Sequence, residues 1–243
     1  MAVPFFRYSF ETAKDMNMID EYKKSNEETL RCIDYIQDSE TGLYANAYKD
    51  YIIDKGGVYT DHLIKEFGLE RMMFIAASTV KTMPGDGRWS AGVKEWAETF
   101  NAGLRHNEKP GQYALHQIHV GIVDILAAKL INRYNDLKLF DASHCEEEQC
   151  NMKGKVVVLS RMALKEEYWT PENQLWLATG GFGCSPTASG RAVYATCLYD
   201  GENTRWERHQ IAGVLKDEFM PDWAREKLNE IKNPEQSDGI EFK

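Results

Sequence analysis

The 243 residues predict an α+β protein, an N-terminal helical bundle followed by a small, mainly antiparallel β-sheet domain with a C-terminal helix. Three observations predict it. Apolar side chains recur at three- and four-residue intervals through residues 10–135; beyond residue 154 that period gives way to short β-branched and aromatic runs; and a segment led by Pro221 then resumes helical spacing. The expected divisions are an acidic helical domain over 1–140, a linker over 141–154 and a small β-rich domain over 155–243.

In the helical part, residues 10–16 form a short first helix. Asp20 is placed to cap a longer second one, with Tyr22, Leu30, Ile33 and Ile36 near one face and Gly42 ending it. A third helix over 45–55 stops at Gly56-Gly57, and Thr60 is placed to cap a fourth that carries Leu63, Ile64 and Phe67 up to Gly68. Residues 69–82 hold Met72, Met73, Ile75, Ala76, Ala77 and Val80. Apolar nearly all round, they read as a helix buried in the middle of the bundle. The turn-rich stretch 83–90 leads into a short helix over 94–100 with Trp96 and Phe100 four apart. One long helix over 112–135 then sets Ile118, Ile122, Ile125 and Leu126 on one side.

Residues 141–154 are polar, charged and without period, as a linker would be. Four β runs follow, over 155–159, 175–179, 191–199 and 210–215. Asp200-Gly201 after the third is a hairpin signal, so the third and fourth are expected to pair antiparallel. Pro221 suits the first turn of a last helix whose Trp223, Leu228 and Ile231 cover one sheet face, and the tail from Asn233 reads as frayed.

Composition narrows the class. With 43% hydrophobic and 28% charged residues, the chain is neither a disordered tail nor a collagen-like or coiled-coil sequence. No apolar stretch approaches the roughly 20 residues of a bilayer helix, so no membrane partner is expected. The start, Met-Ala-Val-Pro, has neither the features of a secretory signal nor the glycine of a myristoylation site, which makes the cytoplasm the expected location. Five widely spaced cysteines are expected to be reduced thiols. The net charge is −9. Residues 1–150 hold 24 acids against 17 bases and the remainder 14 against 12, a balance that disfavours non-specific phosphate binding and suits a basic protein groove.

The most unusual stretch is Thr179-Gly-Gly-Phe-Gly-Cys-Ser-Pro-Thr-Ala-Ser-Gly-Arg191. Its glycines permit positive φ and close approach to a ligand, and its amides suit an anion nest. The spacing of a phosphate-binding loop is absent and a strand follows, so a structural β connection stands beside the ligand reading. Gly180, Gly181, Phe182, Gly183, Cys184, Ser185 and Arg191 are the candidates there. Cys184 would act as a nucleophile only if Arg191 or His209 stabilised its thiolate. His116, His119, His144, Cys145 and Cys150 lack the spacing of known zinc sites, so no metal and no cofactor is expected. Trp169, Trp176, Phe182, Tyr194 and Trp206 interleave with Arg191, Arg205 and Arg208. That combination binds single-stranded nucleic acid on many β faces and is equally ordinary core.

Two blocks carry a family likeness. The first has Tyr8-Ser-Phe-Glu-Thr-Ala-Lys14, Asp20-Glu-Tyr-Lys-Lys-Ser25, Phe67-Gly-Leu-Glu-Arg71 and Asp86-Gly-Arg-Trp-Ser90 ahead of Lys94-Glu-Trp-Ala97. The second has Leu164-Lys-Glu-Glu-Tyr168, Thr170-Pro-Glu172, the run from Ala178 through the glycine-rich stretch to Val193, Asp200-Gly-Glu202 and Arg205-Trp-Glu-Arg208. In these the chain resembles an uncharacterised family carried on conjugative elements, plasmids and phages of Gram-positive gut bacteria, catalogued as a domain of unknown function. The resemblance implies a genomic setting and no catalytic or binding residues. Accessory proteins in that setting commonly blunt host defences such as restriction or CRISPR nucleases, or help element transfer.

The leading expectation is therefore a non-enzymatic accessory protein of a mobile element that binds a protein partner, in the manner of an anti-CRISPR or anti-restriction inhibitor, with a host defence nuclease as the partner and the acidic helical part docked on its basic nucleic-acid channel. The alternatives are a nucleic-acid-binding accessory protein using Trp176, Arg191, Arg205, Trp206 and Arg208, and an enzyme or ligand sensor centred on residues 180–191.

Overall fold

The computed structural model describes residues 3–38, 42–43, 57–100, 104–105, 108–147 and 150–232. The chain divides into two compact units, 1–136 and 137–243.

The first unit is helical: α1 (Phe10–Asp15), α2 (Ile19–Gln37), α3 (Val58–Phe67), α4 (Leu69–Thr82), α5 (Ala91–Phe100) and α6 (Val120–Asn135), with a 3-10 turn at Pro110–Tyr113. Every residue of α4 from Leu69 to Val80 is buried, and α3, α5, α6 and the 3-10 turn pack around it. Gly68, at φ 89°, ends α3 and starts α4 in a conformation only glycine takes easily.

Several expected boundaries shift. Met18, not Asp20, precedes α2, and the buried face is Tyr22, Ser25, Thr29, Cys32, Ile33 and Ile36, whereas Leu30 is exposed. Helix α2 ends at Gln37, before Gly42. The helix expected over 45–55 and the frayed tail from residue 233 lie outside the described residues. Gly57 caps α3, which leaves Thr60 inside the helix. The long helix expected over 112–135 begins only at Val120, because the backbone before it is bound elsewhere. Leu115 N donates to Thr79 Oγ1, His116 N and Gln117 N both donate to Gln37 Oε1, and His119 caps α6 by accepting from Gly121 N.

Buried arginines hold the N-terminal segment against this bundle. Arg71 donates to the carbonyls of Phe67, Val3 and Pro4; Arg105 donates to Phe6 O, Asn26 Oδ1, Tyr113 OH and Ser25 Oγ. The Arg105 guanidinium also lies 5.0–5.5 Å from the ring centres of Phe5, Tyr22, Phe74 and Tyr113, close enough for cation–π attraction. Arg7 pairs with Glu70 at 2.7 Å, both side chains buried.

The second unit is a five-stranded antiparallel sheet in the order β4-β3-β2-β1-β5, built from β1 (Val156–Leu159), β2 (Leu175–Gly180), β3 (Ala192–Cys197), β4 (Asn203–Glu207) and β5 (Ile211–Val214). A single-turn helix α7 (Pro171–Gln174) precedes β2, and α8 (Asp222–Lys232) closes the unit. The run at 210–215, expected to pair with the third strand, lies at the opposite edge beside β1. Its expected place is taken by β4, a strand too polar to show an apolar alternation. Residues 141–154, expected as a linker, belong to this unit. Cys145 bridges to Leu215, Glu146 N donates to Val214 O, and Met152 N donates to Cys184 O.

Among the described residues no helix is long and apolar enough to cross a membrane.

Candidate functional site

Alternation along the strands divides the candidate residues between the two faces of the sheet. On one face, Val156 and Val158 of β1 stand opposite Leu177 and Leu175 of β2. Ala224, Trp223 and Leu228 of α8 pack against them. The cover reaches β1 and β2, while the same face continues over β3 and β4 as Tyr194 beside Arg205 and Thr196 beside Asn203. Tyr194 is 53% exposed, and Arg205 is exposed with its guanidinium 3.5 Å from Glu207. Thr196 Oγ1 donates to Asn203 Oδ1 at 2.7 Å. Tyr199, just past β3, is 60% exposed with its ring edge on Trp223.

On the other face, Trp176 and Trp206 meet edge to face at 5.2 Å, with Val157, Ala178, Val193, Ala195 and Cys197 buried on the same side. Trp169 is buried too, its indole N–H donating to Arg161 O. The aromatic and arginine residues read together in the sequence are therefore separated. Trp176 is 5% exposed and has no ring face to offer a base; Tyr194 and Arg205 remain as the open pair.

The glycine-rich stretch packs tightly against the start of β3. A Cβ on Gly181 or Gly183 would overlap the carbonyl oxygen of Ala192 or Arg191 respectively, and Gly181 sits at φ 102°. Glycine is required here for close approach of backbone to backbone. Arg208 fastens the loop by donating to Gly183 O at 2.7 Å, and its own N–H donates to Arg191 O. Phe182 is held over Gly190 and is 78% exposed, and Ser185 caps the turn to Thr187.

The thiol at Cys184 is buried and donates to Gly180 O at 3.1 Å. Burial pushes it above the ordinary thiol range, and nearby Arg208 and Lys153 offset this only in part. Cys197 is likewise raised by burial, and Cys145 is raised to about 11. None of these is a poised nucleophile. His116 and His119 are engaged separately, with Gly111 O and with Gly121 N and Arg88. Among the described residues no three His, Cys, Asp or Glu side chains gather to hold a metal ion.

Folding does bring Arg191 and Arg208 together with residues of the stretch expected to be a linker. Both line a cavity of about 480 Å³ with Glu146, Glu147 and Met152, over a floor made by β5. Charge is also distributed otherwise than expected. The helical unit, 1–136, holds 20 acids and 16 bases, and the sheet unit, 137–243, holds 18 and 13. The acid excess placed in the helical part comes largely from Asp141 and the run at 146–148, which belong to the sheet unit.

Residues 5–136 match the model of a family described as "Protein of unknown function (DUF3849)". The match covers the helical unit and stops where that unit ends. No curated protein and no solved structure matches the chain.

Proposed function

The chain belongs to the DUF3849 family, whose description assigns no chemistry, and we propose its function from its own surfaces: it is an accessory protein that works by binding a protein partner through the uncovered part of its sheet. The observation that carries this reading is the pair Tyr194 and Arg205, side by side on the stretch of face beyond α8, with Tyr199 and Phe182 also exposed. Tyrosine and arginine are the residue types that most often concentrate binding energy at protein interfaces, and Thr196 and Asn203 supply a polar rim.

Nucleic acid is a poorer occupant. The unit carries five more acids than bases, and of the two tryptophans proposed to stack bases Trp176 is buried and half-buried Trp206 is packed edge to face against it. The mobile-element setting implied by the resemblance is the ground for taking a host defence nuclease as the partner class, and the net negative charge of the chain favours approach to its basic channel. The test is capture from host cells with tagged wild-type protein and with a Tyr194→Ala/Arg205→Ala variant that melts at the wild-type temperature. The reading expects a nuclease component held by the wild type, lost from the variant, weakened by salt and displaced by the nuclease's own nucleic acid. Retention of nucleic acid alone, or equal capture by both proteins, overturns it.

A further inference from the structure

We infer that the cavity above β5 is a binding site for a small zwitterion of the amino-acid or dipeptide class, independent of the partner-binding face. Two cationic side chains, Arg191 and Arg208, and two acidic ones, Glu146 and Glu147, line the same space of about 480 Å³. That volume lies in the range of small-ligand sites. Opposite charges sharing a cleft ordinarily pair with each other. Here they do not: among the described residues, no ion pair joins either arginine to either glutamate. Arg208 is instead turned to Gly183 O, an orientation fixed from behind by the glycine-rich loop. The walls thus hold positive and negative charge apart, as a ligand carrying both signs requires.

The floor adds a second, independent feature. β5 pairs with β1 at Val157↔Val214 and Val158↔Gly213, and then at Leu159↔Ile211. Ala212 is therefore an extra residue, a β-bulge whose backbone has no counterpart on β1. The bulge lies beside an apolar floor of Ile211 and Val214, which suits the aliphatic part of an amino acid or peptide. A carboxylate toward Arg191 and Arg208, an ammonium toward Glu146 and Glu147, and an aliphatic portion on Met152 and Ile211 match the charged and apolar walls together. A plain anion would leave the glutamates facing it, and a plain cation would face the arginines.

The test uses the full chain in thermal-shift and calorimetric titrations with the free L-amino acids and simple dipeptides as probes, and with inorganic phosphate as the anion control. At least one zwitterion is expected to raise the melting temperature and bind with measurable heat. Arg191→Gln and Glu146→Gln should each weaken that binding at least about tenfold, the loss of one charge-assisted contact, while Tyr194→Ala leaves it unchanged. Stabilisation by phosphate that survives Glu146→Gln overturns the inference in favour of an anion site, and the absence of binding by any zwitterion overturns it outright.

Discussion

Replacing Arg105 by alanine removes a charge on which the helical unit depends. The residue is 2% exposed, and its guanidinium donates to Asn26 Oδ1 at 2.9 Å, Tyr113 OH at 3.1 Å, Phe6 O at 3.2 Å and Ser25 Oγ at 3.3 Å. Deleting it leaves several buried acceptors without their donor, opens a void among four aromatic rings, and releases the N-terminal segment. Breaking a buried, fully bonded charge costs about 3–5 kcal/mol. Over a unit of this size that lowers its melting temperature by roughly 10–20 °C. Arg105→Lys should recover only part of the loss, since a point charge cannot serve acceptors spread around a planar fork. Arg88→Ala is the control: its bidentate partner Asp86 is on the surface, where solvent screens the pair and its loss should leave the melting temperature nearly unchanged. Urea and thermal unfolding followed by circular dichroism measure all three. An Arg105→Ala protein within about 1 kcal/mol of wild type would refute the claim that this network holds the segment down.

The same network makes the unit alkali-sensitive. Burial raises the Tyr113 and Tyr22 hydroxyls above the usual tyrosine range, so both stay protonated in the folded unit when the unfolded chain begins to ionise near pH ~10. Their stabilisation is complete below that pH and declines above it, and Tyr113→Phe should flatten the decline in a stability-versus-pH series. Gly183→Ala forces a Cβ into the Arg191 carbonyl and should cost about 1–3 kcal/mol by overpacking, read as a lower melting temperature together with loss of the cleft's ligand response. Alkylation at neutral pH followed by peptide mass spectrometry should label half-buried Cys150 well before Cys184, whose thiol is buried and raised; Cys184 labelling first would contradict the buried placement.

What the sequence made legible follows from where one signal dominates. Helix α4 is apolar nearly all round and is buried along its length; β1 is a run of valines, β2 is apolar from Leu175 to Ala178, and both lie inside the sheet. Strand β4 was hidden because Asn203, Thr204, Arg205 and Glu207 are polar residues on an edge, ordered by pairing with β3 and not by burial of their own. The start of α6 was misplaced because Thr79 and Gln37, distant in sequence, take the amide hydrogens that a longer helix would have used. At the site, the glycine-rich stretch was conspicuous, yet its reason is backbone contact with β3, which depends on the register of the whole sheet. The cavity was invisible in principle to local reading, since Glu146, Arg191 and Arg208 become neighbours only when the segment at Cys145 and Glu146 pairs with the end of β5.

The measurement closest to the central claim is the dissociation constant of the captured partner for wild-type protein and for Tyr194→Ala and Arg205→Ala. If the open sheet face carries the interaction, each substitution removes a side chain of hot-spot type and weakens binding by about 2 kcal/mol, roughly thirtyfold, without moving the melting temperature. Binding unchanged in both variants would contradict the account and place the partner on another surface.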